Sequence, residues 1–298
     1  MILPSLVNYF IYIGIIIGIY GLFALGLNLE WGFTGILNFG HVAFMGIAAY
    51  TMAILNIAGL NLFISIIIGI ALSIVAGVLI GAPTLKLRGD YLAIVTIAFS
   101  EIIRYFYINE GWLTGGAGGL SNFNQLLGFL PSQYKQIGFL IVTLALLGIV
   151  YVFLEKLINS PWGRVLKSIR EDEEVSKALG KNIYKYKIQS LAIGSGIAGI
   201  AGILQAFNNY LVLPSSYKPL ITFYAWIIVV LGGSANNKGS LVGAIIFVAF
   251  FESTRFLPLG DVRVGSLRMI IIGLLLILLM LFRPQGILGN KEELKLDI

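Results

Sequence analysis

The sequence predicts an all-α fold: a polytopic transmembrane helical bundle of roughly nine spans, forming one domain over 1–298. Three observations predict it. Apolar residues make up 58% of the chain and charged residues 11%, with a mean hydropathy of +0.93. Several apolar runs approach the ~20 residues that a helix needs to cross the hydrocarbon core. Gly supplies 36 of the 298 residues, and Gly lets membrane helices approach closely and break where protein or a cavity supports them.

Each element follows from local pattern. The first span runs from Leu6 to Leu29. It lacks the basic leader and small-residue cleavage site of a secretory signal, and its apolar run is too long for one, so it is read as retained. Further spans are expected at about 36–57, 61–82, 91–108, 136–155, 188–212, 220–232, 240–256 and 267–282. Arg283 and Pro284 then supply a basic anchor and a helix breaker. The turn from Leu231 to Gly239 follows a span rather than a strand, so its glycines make no nucleotide loop; it reads as a tight inner connection between two short helices.

A charged segment interrupts this pattern after the fifth span. Ser160 and Pro161 form a helix start, a side-chain cap followed by a proline whose missing N–H costs nothing at the first helical position. Apolar residues recur at helical spacing at Trp162, Val165, Leu166 and Ile169, then at Val175, Ala178 and Leu179. Gly180 is expected to end this helix, 160–180, in a left-handed conformation. Lys167 with Glu171, and Glu173 with Lys177, are spaced to pair on its surface, whereas the four acids from Glu171 to Glu174 repel one another. An amphipathic helix of this kind suits either the membrane surface or another subunit, and its acids disfavour anionic lipid.

Charge distribution sets the expected orientation. If 156–187 is cytoplasmic, its eight basic residues are joined on that side by Lys86, Arg88, Lys238, Arg283, Lys291 and Lys295. Lys135, Lys218, Arg255, Arg263 and Arg268 fall outside, and Arg104 lies near the outer end of its span. The excess of inner basic residues places the N-terminus outside and the C-terminus in the cytoplasm. The net charge of +6 is therefore a topological signal that requires no nucleic acid. With no Cys and one His, the chain offers no disulfide, cysteine-zinc or thiol chemistry, and no catalytic constellation or metal site is expected.

The segment Ser160 to Gly202, with SPWGR, IREDE and the ALG turn in order, resembles the cytoplasmic loop of LivM-type permease subunits of branched-chain amino acid ABC importers. LNFGHVAFMGIAAY (37–50), LRGDYLAIVTIAFSEIIR (87–104), LTGGAGGL (113–120), VVLGGSANNKGSLVGA (229–244) and MLFRPQGILG (280–289) carry the same resemblance across nearly the whole chain. One departure is Glu30, a charge where such relatives usually carry an uncharged residue, expected at the inner end of the first span. The resemblance implies a second, homologous LivH-type permease, two cytoplasmic ABC ATPase subunits and an external amino-acid-binding protein. It also implies that 160–180 is a cytoplasmic coupling helix, whose ATPase contacts would come from Trp162, Val165, Ile169, Arg170, Glu171, Asp172, Glu174, Ala178, Leu179 and Gly180. No G-x-x-x-x-G-K-[ST] loop is present, so no cofactor is expected in this chain and ATP would bind the partner ATPases.

Irregular, polar backbone at membrane depth points to the translocation path. Gly32 to Gly46 qualifies, with Thr34, Asn38 and His41 near a helix break, and Thr96 and Ser100 are polar on a later span. These residues are expected to line or brace the route; a buried His41 bonding a neighbouring helix, and hydroxyls bonding their own backbone, are the plainer alternatives. Glu101 with Arg104, and Glu252 with Arg255, are spaced three apart near expected outer ends, as ion pairs or as an outer gate or docking surface for the binding protein. Urea or short-amide permeases resemble the same blocks. A secondary transporter coupled to ions through Glu101 or Glu252 is the rival class.

Overall fold

The computed structural model describes residues 2–254 except 86 and 88, and beyond these a discontinuous set of positions between 267 and 289. Its helices are α1 (Ile2–Leu27), α2 (Val42–Ile57), α3 (Leu62–Thr84), α4 (Gly89–Asn109), the single-turn α5 (Gly111–Thr114), α6 (Ser132–Ile158), α7 (Pro161–Glu171), α8 (Glu173–Ala178), α9 (Ile183–Asn209), α10 (Leu220–Gly232) and α11 (Asn237–Ser253). Among the described residues there is no β-strand, only an isolated bridge between Leu120 and Val212. The fold is all-helical, as its composition predicts.

The described span count differs from nine. Five helices are long and apolar enough to cross a membrane: Leu6–Phe33, Leu62–Thr84, Gly89–Asn109, Tyr134–Ile158 and Ile183–Asn209. A sixth arises if α10 and α11, bent by 117° at their junction, count as one broken span. The stretch expected as a span at 36–57 is helical only from Val42, because residues 34–41 leave the helix. There Gly35 adopts φ +78°, and Gly40 packs so closely on the Thr96 carbonyl that no side chain fits. Apolar content alone does not register such breaks. The expected final span, 267–282, is described at only some positions, and Arg283 and Pro284 lie outside the described residues.

The bundle is built around α9, 78% of whose most apolar window is buried, with α1 beside it and α3, α4 and α6 at the periphery. Between apolar helices in lipid the drive to associate is close packing rather than water exclusion, which favours small residues at the contact. The inward face of α3 is small at every fourth position: Ser65, Gly69, Ser73, Gly77 and Gly81. Gly77 abuts Ser195 of α9, and Gly199 of α9 meets Ser73 and Ala48. The Ser73 hydroxyl donates to the Ser195 carbonyl at 2.7 Å, with the Phe44 carbonyl 3.2 Å away, so α2, α3 and α9 converge at one point. These close contacts fix α2 and the irregular segment before it against the bundle centre.

Candidate functional site

The centre of the structure is the non-helical segment 34–41, which receives contacts from five elements. α1 ends in a π-helix, Asn28–Phe33, whose wider turn redirects the chain. The Thr34 hydroxyl donates to the Leu29 carbonyl and lies 2.7 Å from Ser190 Oγ of α9. The Phe39 amide donates to Thr96 Oγ1 of α4 at 3.1 Å, and Trp226 Nε1 of α10 donates to the Asn38 carbonyl at 3.3 Å. The Val42 amide, at the entry of α2, donates to Thr222 Oγ1 of α10. Backbone groups freed by the helix break are thereby satisfied from neighbouring helices, the condition for irregular backbone at membrane depth.

Of the residues expected on the translocation path, Thr34, Asn38, His41, Thr96 and Ser100 are all buried. The structure brings the first four together around the break. Ser100 stands apart, its hydroxyl donating to the Ile97 carbonyl of its own helix.

Glu30 lies near the end of the first apolar span, where it is wholly buried in the π-helix. Its Oε2 accepts from Asn38 Nδ2 at 2.7 Å and lies 3.2 Å from His41 Nδ1. Gly194 of α9 leaves room for the carboxylate, which any Cβ there would strike. The His41 ring stacks on Phe23, centroids 4.8 Å apart. Carboxylate and amide thus tie the middle of the irregular segment to the end of α1, with the imidazole packed beside them.

The charged loop forms two helices, not one running through 160–180. Asp172 is extended (φ −153°, ψ 112°), ends α7 and caps α8 by accepting from the Val175 amide at 3.0 Å. An Asp followed by two Glu is itself a helix-start signal, since acids favour a helix N-terminus; read as repelling neighbours, these residues concealed the break. Ser160 is not a side-chain cap, for its hydroxyl donates back to the Leu157 carbonyl. Glu173 pairs with Lys187 of α9 instead of Lys177. Pro161 does occupy the first turn of α7, and Gly180 is left-handed at φ +75°, its amide bonding the Lys177 carbonyl.

The residues expected to contact an ATPase divide into two sets. Ile169 is buried within this chain, and Trp162 is half-buried with its Nε1 donating to Gln189 of α9 at 2.9 Å. These two seat α7 on the bundle. Glu171, Asp172, Glu174, Ala178, Leu179 and Gly180 are exposed, and so is Val175. Leu179, 69% exposed, joins Pro161, Trp162, Val165 and Tyr186 around an open groove between α7, α8 and α9. Arg170 faces the site centre: its Cα would lie 3.7 Å from a Cβ on Gly35, and its guanidinium donates to Ser234 Oγ at 3.3 Å. Asn28 accepts from the Ala235 amide and donates to Asn237, which donates to Glu155 of α6. One polar network therefore joins α7, the end of α1 and the tight turn between α10 and α11.

At the other expected site, Arg104 bonds Glu101 through Nε and Nη2, at 3.0 and 2.6 Å to Oε2. Glu252 is only 3% exposed, and Arg255 lies outside the described residues.

A multi-pass helical bundle with a broken, polar, glycine-rich centre, tied to an amphipathic pair of helices outside the apolar spans, defines a membrane transport component. The chain belongs to the family described as branched-chain amino acid transport system / permease component, whose profile matches residues 9–280. It is 33% identical to the high-affinity branched-chain amino acid transport system permease protein LivM of Escherichia coli (strain K12), over 93% of this chain and 70% of that protein. It is 30% identical to the probable branched-chain amino acid transport permease protein LivM of Methanocaldococcus jannaschii, over 92% and 91%. The corresponding LivH of Escherichia coli (strain K12) is 25% identical, over 92% of each chain. No solved structure matches the chain. It is thus a multi-pass membrane permease component and not an enzyme.

Proposed function

We propose that this chain is one of two homologous membrane subunits of an ATP-driven importer of branched-chain amino acids, with its N-terminus outside and its C-terminus in the cytoplasm. An external binding protein would deliver the solute, and two ATPase subunits would bind the ATP. The observation that carries the reading is the seat of α7: its buried face holds it on the bundle, Arg170 bonds Ser234 of the turn between α10 and α11, and Val175 and Leu179 beside an open groove are exposed. An apolar surface rimmed by charge, on an amphipathic helix pair, is the kind of surface a partner subunit covers. ATP binding in that partner would bias the permease between two packings, one open to each side.

Reconstitution tests this. Vesicles holding the chain, a second permease, the ATPases and a binding protein should accumulate leucine only with ATP, and valine should compete. Uptake driven by an ion gradient without ATPase would overturn the reading; competition by urea but not valine would reassign the substrate.

A further inference from the structure

Two phenol groups inside the bundle bond nothing. Tyr50 of α2 and Tyr107 of α4 are 2% and 5% exposed, and neither hydroxyl oxygen has a hydrogen-bond partner among the described residues. Buried hydroxyls are almost always paired, because one left unmet forfeits its bonds to water and gains none in return. Phenylalanine would fill the same space without that cost. Packing therefore accounts for the two rings and not for their oxygens.

The rings belong to one aromatic cluster. Tyr50 and Tyr107 stack with centroids 3.9 Å apart, and the Tyr217 ring meets Tyr50 edge-on at 6.1 Å. Gly46, one turn before Tyr50, makes room for it: a Cβ there would come within 3.1 Å of the Tyr107 ring and 3.3 Å of the Tyr217 ring. Tyr50 stands eight residues beyond Val42, where α2 leaves the irregular segment, or about 12 Å along the axis. The cluster thus lies towards the end of the bundle where Asn56 accepts from the Asn124 amide, the outer end in the orientation proposed above. Two short segments flank it there, neither part of a spanning helix. Tyr217 ends the single turn Pro214–Tyr217. Thr114 Oγ1 donates to the Tyr107 carbonyl at 2.7 Å and leads into a loop in which Gly115, Gly116 and Gly119 have positive φ. One antiparallel bridge, Leu120 with Val212, joins this loop to the turn. Segments of this kind absorb conformational change without unpacking the helices beneath.

We propose that the Tyr50 and Tyr107 hydroxyls donate to the carboxylate of the transported amino acid when the permease takes its outward-open packing. The proposal deepens the importer reading above and rests on it. The occupant follows from the chemistry of the cluster. A phenolic O–H bonds most strongly to an ionised acceptor, which a carboxylate supplies. The ring faces offer contact to an ammonium group and to a hydrocarbon side chain. A small zwitterion with an apolar side chain meets all three, whereas an acyl chain would leave the hydroxyls as unmet as they are in this structure.

Tyr50→Phe and Tyr107→Phe, singly and together, test this, because they remove the hydroxyls and keep the rings. Each is assayed in the reconstituted complex of both permeases, the ATPases and a leucine-loaded binding protein, with thermal unfolding of the same complex in detergent as a second readout. Each single variant should unfold at the wild-type temperature or above it, while leucine uptake at saturating binding protein falls severalfold and falls further in the double variant. Unchanged uptake would overturn the proposal, and is the result expected if the hydroxyls only hold a trapped water. Loss of thermal stability together with uptake would overturn it too, by making the hydroxyls part of the fold. A diazirine analogue of leucine, carried by the binding protein, gives a readout that does not depend on rate. Irradiation during turnover should label peptides of this chain that contain Tyr50 or Tyr107, and label confined to other segments would count against the site. Absence of ATP-driven leucine uptake by the wild-type complex would remove the importer reading itself, and this proposal with it.

Discussion

Glu30 shows what a single side chain can conceal in a sequence. Its partners, Asn38 and His41, lie eight and eleven positions away across a stretch with no helical or strand period, so no spacing rule connects them. What the sequence did mark was the stretch itself: Thr34, Asn38 and His41 were singled out as polar residues near a break, and with Thr96 they all lie buried at this centre, beside Glu30. The carboxylate matters because it is the acceptor for the buried Asn38 amide, with the His41 ring beside it. Glu30→Ala leaves Asn38 Nδ2 facing a void, and an unmet buried donor costs about 1–3 kcal/mol. Glu30→Gln keeps a carbonyl oxygen for it and should lose less. Thermal unfolding of the purified variants in detergent should rank them wild type, Gln, Ala; equal stability of the Gln and Ala forms would show that the carboxyl group makes no bond that counts.

At the scale of elements, the loop after the fifth expected span was legible in its ends and not in its middle. Proline at the start and a left-handed glycine at the end are local signals, and both are found. The break at Asp172 is local too, but it competes with an apolar periodicity that continues across it. Which face of α7 turns inward depends on α9 and on the end of α1, far away in sequence, and so Ile169 and Arg170 could not be sorted from Leu179 in advance. That sorting yields a prediction about transmission. Leu179→Glu places a charge on an exposed apolar site and should abolish co-purification with the ATPases while leaving the permease folded. Arg170→Ala removes the bond to Ser234 and leaves Leu179 and the other exposed residues after α7 in place, although Arg170 is itself exposed. ATPase association should then persist, with leucine transported per ATP hydrolysed falling severalfold. Loss of ATPase binding in Arg170→Ala, or an unchanged transport ratio, would place Arg170 outside the route from α7 to the irregular segment.

For the whole molecule, hydropathy reports apolar length but not direction, so the stretches at 36–57 and 220–256 show their breaks in the sequence, near Thr34 to His41 and at Leu231 to Gly239, but not how far the chain turns there. In the structure the first opens with an irregular segment and the second folds at 117° about the turn after Gly232. The bend has a topological consequence. Ser234 in that turn bonds Arg170 of α7, and Asn236 caps α11 by accepting from the Gly239 amide, so Lys238 emerges on the same side of the bundle as the charged loop. The opposite side is marked by the loop at 121–124, where the Asn124 amide bonds Asn56 at the far end of α2. A membrane-impermeant thiol reagent distinguishes the two sides, because every cysteine in this chain would be an introduced one. Lys238→Cys and Lys181→Cys, both at exposed positions, should be unreactive in intact cells and react in inside-out vesicles; Ser121→Cys, also exposed, should show the reverse. If Lys238→Cys and Lys181→Cys react together but from the cell exterior, the inner excess of Lys and Arg has failed as an orientation signal while the packing stands. If they react from opposite sides, the turn between α10 and α11 does not reach α7, and the network joining α7, that turn and the end of α1 is lost with it.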